Sequence, residues 1–172
     1  MNGNPDERAP RLVGWREWVG LPGVGVEWLK AKIDTGAQTS SLHAFGVEEF
    51  ERDGAPWVRF EIHPLQRSVR DTVEVELPVQ DRRTVRSSTG HVQVRYVVLL
   101  ELRLLDQVVP AEVTLTRRDS MGYRMLVGRE VLEKGFLVDS GASYLAGSRS
   151  GGSATSTSRP TTDAAPFTQT AW

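Results

Sequence analysis

Leu29-Lys30-Ala31-Lys32-Ile33-Asp34-Thr35-Gly36-Ala37 is the stretch on which the fold turns. Its first five residues alternate apolar and charged, the period of a strand that buries one face and wets the other. A carboxylate, a hydroxyl and a glycine follow where that strand leaves the core. Asp-Thr-Gly is also an ordinary turn former, through side-chain to backbone bonds and a residue tolerant of φ > 0. The neighbours of the motif therefore separate a turn from a site.

Outward from Asp34 the chain is strand after strand. Val58, Phe60 and Ile62 alternate, as do Val73, Val75, Leu77 and Val79, mostly with polar residues between them. From Val92 to Leu104 one face reads Val92, Val94, Tyr96, Val98, Leu100, Leu102 and Leu104, long enough to bend around a barrel-like core. Val109 to Thr116 adds another strand. Asp53-Gly54, Ser88-Thr89-Gly90 and Leu105-Asp106-Gln107 supply the turns. Arg129 to Lys134, after Gly128, reads as a short helix that Gly135 ends. The expected fold is an all-β domain with one short helix.

Composition bounds the rest. A hydrophobic content of 39% suffices for a compact core, and no apolar run reaches a membrane-spanning length. The start of the chain is polar and lacks the basic-then-apolar order of a secretory signal, so a cytoplasmic protein is expected. The absence of cysteine removes thiol nucleophiles, thiolate metal sites and disulfides. A net charge of −1 gives no global reason to expect nucleic acid or a membrane as partner. Residues 1–10 are expected to be loose, 11–146 to form the folded domain, and 147–172, rich in Gly, Ser, Thr and Pro, to form a disordered tail.

Two pieces coincide within the domain: Ile33 to Ala37, and Met125-Leu126-Val127-Gly128-Arg129 followed by Glu130-Val131-Leu132. The pairing resembles the retropepsin-like aspartic peptidases, in which an apolar-apolar-Gly stretch threads past the catalytic loop into a short helix. Gly14-Trp15-Arg16-Glu17-Trp18, Ala31 to Ala44, Val85 to His91 and Phe136-Leu137-Val138-Asp139 together look like a bacterial retropepsin-like family. Its members are often labelled ATP-dependent zinc proteases and are associated with ATP-grasp ligases that add glutamate to a ribosomal protein. The resemblance runs from Val13 to Leu145 and implies a closed β-barrel with one short C-terminal helix. Arg124 departs from the pattern, standing where related sequences tend to carry proline.

The resemblance implies that Asp34, Thr35 and Gly36 form a catalytic loop completed by a second copy of the chain. Hydrolysis by this route needs two carboxylates sharing one proton, one activating water and one polarising the carbonyl. A single Asp34 cannot do both, so the expected enzyme is a homodimeric aspartic endopeptidase. Thr35 would bond across the twofold axis, Gly36 would leave room for the attacking water, and Ala37 would face substrate. Gly128 and Arg129 take structural and dimer roles. The middle segment, with Arg82, Arg83, Arg86, Ser87, Ser88 and Arg95, would cover the cleft, and its arginines suit an acidic, glutamate-rich peptide. The same segment also reads as a solvated edge strand whose charges discourage further pairing.

Asp139-Ser140-Gly141 invites assignment as the partner carboxylate of a single-chain enzyme. It comes too late for a second lobe and is expected to be a turn or a strand-end hydrogen bond. His43, His63 and His91 are scattered, so no metal and no cofactor is expected, although a site of His43, His91 and Asp34 across loops is a further geometric option. Gly23-Val24-Gly25 lacks the Gly-Lys-Ser/Thr phosphate pattern, and any ATP dependence would come from a partner ligase. The alternative to the enzyme is a catalytically silent module that binds acidic tails or that ligase.

Overall fold

The computed structural model describes residues 9–65, 70–86, 90–117 and 122–147, with backbone alone at 85 and 86. Most of residues 1–10 and 147–172 therefore lie outside the described residues, as do Ser87 and Ser88. Among the described residues, twelve strands, one short α-helix and a single 3-10 turn at Pro22–Val24 make up the fold. The strands and the helix are β1 (Arg11–Gly14), β2 (Arg16–Leu21), β3 (Val26–Ile33), β4 (Ser40–His43), β5 (Phe45–Arg52), β6 (Ala55–Ile62), β7 (Val73–Pro78), β8 (Asp81–Arg86), β9 (Val92–Leu104), β10 (Gln107–Thr116), β11 (Met125–Val127), α1 (Arg129–Leu132) and β12 (Phe136–Asp139). No helix among the described residues is long and apolar enough to cross a membrane.

Strands β10, β4, β11, β3, β2 and β9 pair in that order, and the β9–β10 hairpin closes them into a six-stranded barrel. Alternation explains the interior. On β3, Leu29, Ala31 and Ile33 point inward and are buried, while Glu27 and Lys32 face out. Leu42, Leu100, Leu102, Leu104, Val113, Met125 and Val127 fill the same core from the other staves. Closure leaves the barrel without free edges along these strands.

The long strand β9 departs from the expected pattern. Val98, Leu100, Leu102 and Leu104 are buried as predicted, yet Val92 and Val94 are more than half exposed. The cause is a change of partner at Val97, which pairs with Thr114 of β10 on one side and Asp81 of β8 on the other. Beyond it β9 leaves the barrel as one arm of a two-stranded hairpin with β8, and there is no core left to bury the valines. The predicted helix is also shorter than the span 129–134, ending at Leu132, with Gly135 at φ 120° closing the turn as expected.

β5, β6 and β7 form a separate antiparallel sheet, with Asp53 and Gly54 both at positive φ in the tight turn between the first two strands. β1 and β12 pair in parallel beside the barrel. Glu17 clips this pair in place. The residue is fully buried, and its carboxylate accepts backbone N–H bonds from Gly14 at 2.8 Å, Leu145 at 2.9 Å and Ala146 at 3.2 Å. Glu17→Ala would orphan these donors, and we expect a loss of about 3 kcal/mol or more in chemical denaturation. A loss below about 1 kcal/mol would mean the clip carries no weight.

Candidate active site

Asp34 follows directly on Ile33, the last residue of β3, where the barrel strand runs out. Its backbone N–H donates to the Val127 carbonyl at 2.9 Å, which ties the loop to β11. Its Oδ1 accepts the Gly36 N–H at 2.9 Å, and Ala37 N–H returns to the Asp34 carbonyl at 3.3 Å. The turn is thus made by the carboxylate itself. Oδ2 has no hydrogen-bond partner among the described residues, and Asp34 is half-buried beside exposed Thr35 and Gly36. One oxygen is committed to geometry and the other is open to solvent.

The segment after β11 holds the loop from behind. Gly128 N–H donates to Ser40 Oγ at 3.1 Å, Arg129 N–H to the Ala37 carbonyl at 2.8 Å, and Glu130 N–H to the Gln38 carbonyl at 3.1 Å. The Arg129 guanidinium donates to the Thr35 carbonyl at 3.2 Å. Gly128 has an ordinary extended φ of −93°, so conformation does not require glycine here. Close approach does: a Cβ would lie 2.6 Å from the Thr39 carbonyl carbon and oxygen. Gln38, Ser40 and Glu130, which also bonds Gln38 at 3.2 Å, complete the unit and were not singled out in the sequence. Only the run Gln38-Thr39-Ser40, polar immediately after the motif, carried a trace of them.

Asp139 reproduces this arrangement. Its Oδ1 accepts Gly141 N–H at 2.8 Å, and Ala142 N–H bonds the Asp139 carbonyl at 3.2 Å. Trp15 N–H donates to the Ala142 carbonyl at 2.9 Å, as Arg129 does to Ala37, and a Cβ on Gly14 would lie 2.7 Å from Ser143 Cα. Leu12-Val13-Gly14 runs parallel to the strand ending in Asp139 as Leu126-Val127, just before Gly128, runs parallel to the strand that leads into Asp34. The Asp-x-Gly turn braced by a Leu-Val-Gly strand is therefore a folding device used twice. Asp139→Asn, whose amide oxygen can still accept the Gly141 bond, is expected to leave peptide cleavage within about twofold of wild type in a steady-state assay; a collapse of activity would reassign the second loop.

The predicted arginines lie on the β8–β9 hairpin and are largely matched by acids. Arg82 Nε donates to Glu49 of β5 at 3.1 Å, and Arg83 pairs with Asp81 and Glu112, each at 3.3 Å. Arg95 stands opposite Arg83 with its Nε buried and unpartnered. Arg86 is opposite Val92, with only its backbone described. Among the described residues no hydrogen bond or ion pair joins this group to the Asp34 loop, so the structure gathers the predicted residues into two units. The Arg82 guanidinium holds the Glu49 carboxyl below its ordinary 4.5, against a smaller opposing effect of burial, with Tyr96 as a further donor. A depressed folded pKa means that this tie is fully present above the unfolded value and is lost as pH falls through the folded one. Between about pH 5 and about pH 9, below ionisation of the phenol itself, the chemical shifts of Tyr96 are thus expected to stay constant, and on the acid side to move only below that range.

The histidines are dispersed. His43 is buried against Phe45, His63 stacks on that ring at 3.9 Å and meets Glu61 at 3.0 Å, and His91 is exposed. Among the described residues no three His, Asp or Glu side chains converge as metal ligands, so the donors present do not fit a zinc centre.

Comparison with known proteins adds to this geometry. A family model described as the retropepsin-like aspartic endopeptidase RimB matches residues 12–149. A protein of Shewanella halifaxensis named probable alpha-L-glutamate ligase is 45% identical over 136 residues, and one of the same name from Parasynechococcus marenigrum is 47% identical over 136 residues. Each alignment covers 79% of this chain, which spans only 30% and 29% of those relatives. A crystal structure of a Legionella pneumophila protein of unknown function superposes with a TM-score of 0.65 at 29% identity, covering 80% of this chain and 98% of that one.

Proposed function

Because the chain belongs to the RimB-like family of retropepsin-like aspartic endopeptidases, we propose that it hydrolyses peptide bonds as a homodimer whose two Asp34 carboxylates face one another across a twofold axis. The observation that carries the proposal is the Asp34 turn, in which Oδ1 is fixed by Gly36 N–H and Oδ2 is left open. In the singly protonated pair, the ionised carboxylate takes a proton from water as its oxygen bonds to the scissile carbonyl carbon. The protonated carboxyl donates to the carbonyl oxygen. Collapse of the tetrahedral species then breaks the C–N bond: the nitrogen leaves with the proton taken from water, and a hydroxyl of the gem-diol returns its proton to the other carboxylate, which restores the singly protonated pair. Thr35 is exposed and its hydroxyl is available to a partner loop.

An apolar face supports the second copy. Leu12 and Leu137 are register partners in the β1–β12 pair and are 50% and 56% exposed. If this pair lies at the twofold axis, an isologous dimer buries it against its equivalent. For the substrate, an acidic peptide remains the best match, although Arg82 and Arg83 would have to exchange Glu49, Asp81 or Glu112 for it. The name of the longer relatives, probable alpha-L-glutamate ligase, supports a glutamate ligase as a working partner, to which any use of ATP would fall. They also sustain a second reading, a silent module that presents acidic tails to the ligase.

Incubating purified wild type and Asp34→Asn with a glutamate-rich peptide library, read by mass spectrometry, separates the two. Cleavage by wild type alone is expected. No cleavage by either folded, dimeric protein would leave the binding module.

A further inference from the structure

The outer face of β2 and β3 carries charges that the fold does not neutralise. Arg16 lies directly opposite Lys32 in the antiparallel register. Like charges so placed oppose strand pairing. The acid next in sequence, Glu17, points inward and is committed to backbone N–H groups. Arg11, Arg52, Arg59, Arg82 and Arg83 each meet a carboxylate, but among the described residues neither Arg16 nor Lys32 does.

Arg16 is held instead by aromatic rings. Its guanidinium carbon lies 4.6 Å from the centre of the Trp15 ring and 4.9 Å from that of Tyr144, and Nη1 donates to the Tyr123 hydroxyl at 3.4 Å. Its Nε is buried without a hydrogen-bond partner. Ring faces restrain a guanidinium by cation–π attraction without using up its N–H donors, so the fork is ordered before any anion arrives. Location gives this order a purpose. Lys32 is exposed on the outer face of β3, two residues before Asp34 in the chain, and the Trp15 carbonyl accepts the N–H of Ile33.

We propose that Arg16 and Lys32 form a carboxylate-binding site that seats an acidic group of a peptide running along the outer face of β3 toward Asp34. The site deepens the peptidase reading and rests on it for the ligand being a peptide. Arg16 contributes two parallel donors and Lys32 a point charge, a pairing that distinguishes a carboxylate from the amide of the same shape. The carboxylate belongs either to a glutamate side chain or to a chain terminus.

The test uses the full chain carrying Asp34→Asn, which retains bound peptide uncleaved, and calorimetric titration with four peptides: glutamate or glutamine side chains, each with a free or amidated C-terminus. Added Arg16→Gln or Lys32→Gln is expected to weaken binding of the carboxylate-bearing peptides at least about tenfold and to leave the glutamine amide unchanged. Added Arg16→Lys should restore only part of the loss, because charge is kept and the fork is not. Sensitivity to side-chain replacement assigns the site to glutamate, and sensitivity to amidation assigns it to the terminus. Lys32→Gln relieves the Arg16–Lys32 opposition, so its thermal stability should be equal or higher, and it carries the test if Arg16→Gln, which also loses the contacts to Trp15, Tyr144 and Tyr123, folds poorly. Unchanged affinity in both variants, or no binding of any carboxylate peptide, overturns the site. Arg16-dependent binding with no cleavage by wild type would instead sink the peptidase reading and leave the site standing.

Discussion

Asp34→Asn should lower kcat/KM for peptide cleavage by at least roughly 10³-fold, the scale of a lost general acid–base pair. That is about 4 kcal/mol of transition-state stabilisation. The substitution is close to isosteric, and an asparagine Oδ1 can still accept the Gly36 N–H that shapes the turn. Folding, dimerisation and peptide affinity should therefore be unchanged, and the loss should fall on kcat. The chemical reason is the proton. An amide neither takes one from water nor gives one to the departing nitrogen, so the pair loses both of its states at once. Retained cleavage in Asp34→Asn would remove Asp34 from the chemistry, and loss of folding along with activity would show that the turn depends on the charge.

Gly128→Ala should be the most damaging single methyl in the barrel. The added Cβ would lie 2.6 Å from the Thr39 carbonyl and 2.8 Å from the Gln38 oxygen, and these are backbone atoms that no rotamer can move aside. Relief requires β11 to separate from the Asp34 loop, breaking the bonds from Gly128 to Ser40 and from Arg129 to Ala37. We expect about 3 kcal/mol of destabilisation in chemical denaturation, at the upper end for overpacking. Activity should fall further than the unfolded fraction explains, since the displaced segment also anchors Asp34 through Val127. Wild-type stability in Gly128→Ala would mean that the close approach is not maintained in solution.

The legible parts of the fold were those set by local pattern. Leu29, Ala31 and Ile33 announce a half-buried strand, and Val58, Phe60 and Ile62 are each fully buried as their spacing requires. β5 escaped notice because Val47, Glu48 and Glu49 are all exposed, so a strand on an edge of its sheet left no alternation to read. The exit of β9 from the barrel at Val97 was invisible for another reason: periodicity records which residues share a face, and the identity of the strand beside them is a tertiary fact. The parallel pairing of β1 with β12 joins the two ends of the domain, beyond any local signal.

The site divides along the same line. Asp34-Thr35-Gly36 and Leu126-Val127-Gly128 each carry their meaning locally, the first as a carboxylate-made turn and the second as a strand whose glycine permits close approach. Asp139 shows the limit of such reading, since the same turn chemistry recurs there. The environment of Arg16 could not be read at all, because the Tyr123 hydroxyl that it meets lies 107 residues away. The arginines of β8 were visible as charges, but their pairing with Glu49 and Glu112 depends on strands brought alongside by folding.

The proposal that two Asp34 side chains share one site makes activity a property of the pair, and subunit mixing tests this most directly. Wild type and Asp34→Asn would be mixed at fixed total concentration, allowed to exchange subunits, and assayed for peptide cleavage as the wild-type fraction is varied. Paired carboxylates predict activity proportional to the square of that fraction, so that an equal mixture retains about a quarter of full activity. A linear dependence, with about half retained, would place a complete site within each chain and contradict the account.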